Sequence, residues 1–77
     1  DFDIEVGEVL KAQKHPDADK LFVEAIKLGD GIIQVVSGLA DYFSSPSDLI
    51  GKKVLILRNL KPAKIRGVIS QGMLLVA

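Results

Sequence analysis

Hydrophobic and polar positions alternate along most of this chain with a period near two, the repeat of strands half-buried against a core. Ile4, Val6, Val9 and Leu10 sit among acids, and Gly7 interrupts the alternation. That predicts a long first strand with a bulge or bend at Gly7. Leu21, Phe22, Val23, Ala25 and Ile26 predict a second strand, ended by the hairpin-like turn Leu28-Gly29-Asp30-Gly31. Ile32-Ile33-Gln34-Val35-Val36 is a third, β-branched strand. Residues 53–60 and 71–76 predict a fourth and a fifth. One short helix is expected between strands three and four, where Ser44 or Ser45 can cap it, Pro46 suits its first turn and Gly51 can end it.

Five strands with a helix between the third and fourth is the order of the OB-fold, a small Greek-key barrel. An all-β barrel with one short helix is therefore the expected fold. A glycine in the long first strand fits it, because that strand must bend to serve both sides of the barrel. An SH3-like barrel is the main competitor and lacks a helix at that place.

Length then sets the scale. The 77 residues make one small domain, 1–77, with no room for a second core and no cysteine to staple it. Without a disulfide framework an intracellular, cytoplasmic protein is the easier reading. No apolar run approaches the roughly 18–20 residues of a membrane span, and no signal peptide opens the chain. The chain lacks an initiator Met and stops inside an apolar run at Ala77, so it is expected to be a piece of a longer protein.

Charge changes the picture once it is divided along the chain. Ten Lys and Arg balance ten Asp and Glu. Positions 1–48 hold all ten acids and four lysines, a net of −6. Positions 49–77 hold six cations (Lys52, Lys53, Arg58, Lys61, Lys64, Arg66) and no acid, a net of +6. Such asymmetry points to an anionic partner for the basic part, or to halves that neutralise each other across a folded surface.

The densest positive stretch, Lys61-Pro62-Ala63-Lys64-Ile65-Arg66-Gly67, reads as a stiff loop between strands four and five. In OB-folds nucleic acids and oligosaccharides bind across strands two and three, flanked by the loops joining strands one to two and four to five. The basic stretch falls in the second of these loops. Lys14-His15-Pro16-Asp17-Ala18-Asp19-Lys20 falls in the first, with Lys14 and Lys20 as its cations. Lys61, Lys64 and Arg66 can neutralise phosphates, Arg66 in a bidentate manner. Asn59 and Gln71 offer paired donors and acceptors to base edges or sugar hydroxyls. Ser70 offers a hydroxyl suited to a 2′-OH. Met73 either lies against a base or sugar face or opens the core of strand five.

Other chemistry is poorly provided for. Phe2, Phe22, Tyr42 and Phe43 are the only aromatics, and of these only Phe22 falls within a predicted strand. Stacking along an unstructured single strand, or on sugars, therefore lacks its platforms, and recognition of a folded RNA by shape and phosphate contact fits better. His15, Asp17 and Asp19 read as a turn in which Asp side chains bond local amides rather than as metal ligands. Ser37-Gly38 lacks the context of a nucleophile elbow, and no P-loop pattern occurs. With one His, no Cys and no paired carboxylates, catalysis by this segment is not expected, and neither metal nor cofactor is implied.

Four motifs in order carry a family resemblance. Val6-Gly7 with His15-Pro16-Asp17-Ala18-Asp19-Lys20-Leu21, then Val36-Ser37-Gly38-Leu39, then Asn59-Leu60-Lys61-Pro62-Ala63-Lys64-Ile65-Arg66-Gly67, then Ser70-Gln71-Gly72-Met73, strongly resemble the tRNA-binding domain of the endothelial monocyte-activating polypeptide II type. The match runs over nearly the whole chain. The resemblance implies an OB-fold appended to methionyl or tyrosyl-tRNA synthetases or to synthetase-associated cofactors. It implies tRNA as partner, bound with little sequence specificity, and a synthetase in cis or in a complex. The family's basic loop maps onto Asn59, Lys61, Lys64, Arg66, Ser70 and Met73. The short Asn-Leu-Lys-Pro-Ala-Lys form looks more like the eukaryotic-type members. Related domains include cytokine-like polypeptides and dimeric chaperone-like proteins, so a protein-interaction module, with dimerisation, is the alternative expectation.

Overall fold

The computed structural model describes residues 4–38 and 45–76, with the side chains of Asn59, Leu60 and Val76 outside the description. Five antiparallel strands form among the described residues: β1 (Ile4–His15), β2 (Ala18–Leu28), β3 (Gly31–Ser37), β4 (Lys53–Ile65) and β5 (Val68–Val76). They make one sheet in the order β3-β2-β1-β4-β5. The sheet curls into a half-barrel until its two edge strands meet. There Gln34 donates from its amide N–H to Gln71 Oε1 at 2.9 Å and from Nε2 to the Ile69 carbonyl at 2.7 Å. The Val36 N–H donates to Ser70 Oγ at 3.0 Å. Side chains thus occupy what would otherwise be open β-edges.

Strand β1 belongs to both sides of the curl. It pairs with β4 over Ile4–Glu8 and with β2 over Glu8–His15. Gly7 lies where it passes from one partner to the other. A Cβ there would collide with Ile26 Cγ2 and approach Leu28 Cδ2 to 2.9 Å, so the missing side chain is what lets β2 pack against the bend. The bulge expected at Gly7 falls instead between Val9 and Lys11, where Leu10 drops out of register. Next to the bulge Val9 bonds on its other side: its N–H reaches the Lys52 carbonyl at 3.0 Å and its carbonyl takes the Gly51 N–H at 2.8 Å.

Alternation then fills the interior. Phe22, Ile26 and Leu28 of β2, Ile33 and Val35 of β3, Val54 and Ile56 of β4, and Val9 of β1 are buried in one cluster. Each such side chain contributes about 1.5–3 kcal/mol of transfer free energy. The only helix described is a single 3-10 turn, Pro46–Leu49, which adds Leu49 to this cluster. Ser45 caps it by accepting the Ser47 N–H, and Pro46 occupies its first turn. The other candidate cap, Ser44, lies outside the described residues, as do Phe2, Tyr42 and Phe43.

Arg58 fastens the sheet at the end near the β2–β3 turn. Its Nη1 lies 3.2 Å from Glu5 Oε2 and 2.9 Å from Asp30 Oδ2. One of the six cations of the basic half is therefore neutralised by acids of the other half. The outer face of β1, β4 and β5 is apolar instead, with Ile4, Val6, Leu55, Met73 and Leu75 exposed.

Candidate nucleic-acid interface

The basic stretch is not a loop. Strand β4 continues through it to Ile65 and β5 starts at Val68, with Ala63↔Ser70, Lys64↔Ile69 and Ile65↔Val68 paired. Only Arg66 and Gly67 turn, both with positive φ (51° and 88°), which fits a two-residue type I′ hairpin. Pro62 suggested a loop because it cannot donate to a ladder. The structure accommodates it in an irregular stretch between Arg58 and Ala63, where the β4–β5 register shifts and Pro62 has no paired partner. The other expected loop, 14–20, is likewise a hairpin. Strand β1 runs to His15, β2 begins at Ala18, and Pro16-Asp17 makes the turn.

The two hairpin tips are joined. His15 is 2% exposed. Its Nδ1 accepts the Asp17 N–H at 3.0 Å, and its Nε2 lies 3.1 Å from the carbonyl of Ile65, fifty residues away. An Nδ1 that accepts carries no proton, so the ring is the tautomer whose Nε2–H donates to Ile65. Arg66 crosses in the opposite direction, with Nη2 donating to the Asp17 carbonyl at 3.2 Å. The turn was expected to be held by Asp side chains, but the imidazole takes the local amide instead. The histidine was legible as part of a turn, whereas its bond to Ile65 depends on a contact that no local pattern encodes.

The expected site residues divide. Lys14, Lys20, Lys61, Lys64 and Arg66 are all exposed on or near the joined tips, and among the described residues none of them forms an ion pair. Met73 is 55% exposed, which removes the core reading for it. Gln71 is exposed but its Oε1 is used by the Gln34 amide, leaving its Nε2 as the free donor among the described atoms. Ser70 departs from expectation. It is 1% exposed, accepts from Val36 and donates to the Gly72 carbonyl at 2.9 Å, so its hydroxyl belongs to the β3–β5 seam and not to a ligand. The Asn59 side chain lies outside the described residues.

Sequence reading missed one buried ionisable group. Glu24 sits on the inner face of the curled sheet with no exposed surface, in the same phase of β2 as Phe22 and Ile26. Its Oε2 accepts the Ser37 hydroxyl at 2.7 Å, and Oε1 has no partner. Burial pushes this carboxyl up to about 7, against the smaller opposing effect of the Ser37 bond. The signal was present: a Glu on the apolar phase of Phe22-x-Glu24-x-Ile26-x-Leu28. Among the described residues no group of three or more acids and histidines is placed to hold a metal, and no helix is long and apolar enough to cross a membrane.

Comparison with known proteins gives this geometry a family. The profile described as "Putative tRNA binding domain" matches residues 4–77. The chain is 48% identical over 75 residues to a methionine–tRNA ligase of Thermococcus kodakarensis, covering 97% of this chain and 10% of that protein. It is 52% identical over 77 residues to the cytoplasmic tyrosine–tRNA ligase of Xenopus laevis, covering 97% of this chain and 14% of that protein. It therefore spans only about a tenth to a seventh of the curated relatives it matches. Among solved structures it resembles a MetRS-related protein from Pyrococcus horikoshii, with TM-score 0.88 and 42% identity over 99% of this chain and 69% of that one. It also resembles the chaperone CsaA of Bacillus anthracis, with TM-score 0.83 and 25% identity over 96% of this chain and 67% of that one. By the extent of the profile match and the identity to its relatives, the chain belongs to the tRNA-binding domain family found in aminoacyl-tRNA synthetases.

Proposed function

We propose that this chain binds tRNA through the joined tips of the β1–β2 and β4–β5 hairpins, with little sequence specificity, and so raises the local tRNA concentration for an aminoacyl-tRNA synthetase in cis or in a complex. The observation that carries the reading is the set of exposed cations without ion pairs, Lys14, Lys20, Lys61, Lys64 and Arg66, on two hairpins bonded to each other. Lysines and arginines that fold against no carboxylate are available to phosphates, and phosphate contacts carry affinity without reading sequence. Gln71, through its Nε2, and Met73, which lies opposite Leu57 farther along β5 from the tip, remain candidates for further polar and apolar contacts. Asn59 remains a candidate on its motif alone. A weak tether of this kind acts through effective concentration, making synthetase docking an intramolecular step.

The OB-fold reading supports this use. The order β3-β2-β1-β4-β5, the seam from β3 to β5 and the 3-10 turn between β3 and β4 fit a barrel closed through side chains, whose ligand side lies between the two hairpins. A cytoplasmic setting follows from the same role.

The test is Lys64→Ala with Arg66→Ala in the full chain, titrated with tRNA over a range of salt. Affinity should fall, and the slope of log K against log salt should shrink by about one for each phosphate that the protein no longer neutralises. A folded double mutant with parental affinity and slope would sink the proposal. One observation favours a second reading, a chaperone-like interaction module: the exposed apolar face of Ile4, Val6, Leu55, Met73 and Leu75. In the same titrations a dimer by size measurement that ignores tRNA at moderate salt would favour it.

A further inference from the structure

Each hairpin tip projects beyond the core. Pro16, Asp17, Asp19, Lys61, Lys64, Arg66 and Gly67 are all exposed, and a two-stranded tip without tertiary support is marginally stable. Lateral support comes from His15. One neutral imidazole does two jobs that need opposite ring nitrogens: Nδ1 accepts from Asp17 within its own hairpin, and Nε2–H donates to Ile65 of the other. The ring is almost wholly buried, so the bond to Ile65 is shielded from competing water. Arg66 closes the ring of contacts by reaching the carbonyl of the same Asp17 whose amide His15 holds. Asp17 is thereby gripped at both its N–H and its C=O.

We propose that His15 is a positioning residue for the anion-binding surface: it locks the β4–β5 tip to the β1–β2 tip, so that cations from both hairpins engage one ligand together. The proposal rests on the tRNA reading above. Its physical content is preorganisation. Phosphates along a folded RNA have fixed spacings, and two tips that moved independently would bear an ordering cost on binding that the clasp has already met in folding. His15 itself is buried and meets no phosphate.

The discriminating variant is His15→Asn. Asn after a strand accepts the amide N–H two residues on, as an Asx-turn, so it keeps the Asp17 contact and the local turn. Its shorter side chain cannot reach Ile65. If His15 matters only for its own turn, His15→Asn binds tRNA as the parent does. If it is the clasp, the folded variant loses about three- to tenfold in affinity, the equivalent of one net hydrogen bond. The salt slope should also shrink by about one although no exposed charge has been removed. Parental affinity and slope in His15→Asn would overturn the clasp. Lys64→Ala with Arg66→Ala is measured alongside. If that pair binds as the parent does, the tRNA reading itself fails; if it weakens while His15→Asn does not, only the clasp fails. A measurement on the unaltered chain stands apart from how any variant folds. The imidazole Nε2–H should give a slowly exchanging NMR signal that shifts on addition of tRNA, and a freely exchanging ring indifferent to saturating tRNA overturns the proposal.

Discussion

At the scale of single residues, Arg66 shows where local chemistry and use diverge. It holds φ at 51°, a region that costs an L-residue with a Cβ roughly 1–2 kcal/mol and that Asn or Gly enters readily. A turn optimised for stability alone would read Asn-Gly. The long, exposed bond from Arg66 to the Asp17 carbonyl is worth only about 0.5 kcal/mol, at the low end for a net hydrogen bond, and does not offset that cost. Arg66→Asn should therefore leave stability unchanged or raise it by about 0.5 kcal/mol in urea denaturation, while tRNA affinity falls. A loss of more than about 1 kcal/mol would mean that the Asp17 contact, and not a ligand, keeps arginine there. Residue types were legible in the sequence but their directions were not always so. Ser70 and Met73 stand three apart on one strand and were read as partners in one motif. The pleat and the curl bury the first in the β3–β5 seam and expose the second. An odd spacing on a strand already puts the two on opposite faces; what local spacing does not record is that the inner face closes against β3.

At the scale of elements, alternation located the strand centres, and their ends were underestimated wherever charge was dense. Both expected loops became hairpins because solvent-facing Lys is compatible with an edge ladder, and because turns of two residues need little chain. Gly7 was legible as a special position of the first strand, yet its cause is a packing constraint and not the bulge that its break in alternation suggested. A methyl group there has no room, since Ile26 and Leu28 occupy its place in the middle of the core. Gly7→Ala should destabilise the fold by about 1–3 kcal/mol through overpacking, despite the better strand propensity of alanine. Thermal unfolding decides it, and an equal or higher midpoint would show that β1 and β2 can separate there at no cost to the fold. An alanine at Gly31, where no atom lies within 4 Å but φ is 148°, would test strain without crowding and separates the two causes.

At the scale of the whole molecule, the division of charge along the sequence became a division in space only in part. Arg58 joins the halves through Glu5 and Asp30, while the five hairpin cations face solvent with no ion pair among the described residues and outnumber the two acids of the same tips, Asp17 and Asp19. Net charge of zero therefore conceals a surface with a positive end, which is what a phosphate-rich ligand would meet. The interior adds a pH dependence set by Glu24. Its carboxyl titrates near 4.5 when unfolded and near 7 when folded, because burial disfavours the anion more than the Ser37 hydroxyl favours it. Between those values the native state holds a proton that the unfolded chain has released, so stability must fall as pH rises through that window and level off above it. The stability is fully present below about 4.5 and lost by about 7, with a total change on the order of 3 kcal/mol. Asp30, held below the usual carboxylate range by Arg58, acts in the opposite sense and only at more acid pH, so it does not mask the effect. Glu24→Gln keeps the shape and an acceptor for Ser37 but cannot ionise. Urea denaturation from pH 5 to pH 8 should show the parent losing stability relative to the variant as pH rises, and the difference between the two curves, from which everything they share cancels, should change by about that amount. A difference between parent and variant that does not change across the range would mean that water or a neighbouring donor reaches Oε1 and that the carboxylate is tolerated on the inner face of the sheet.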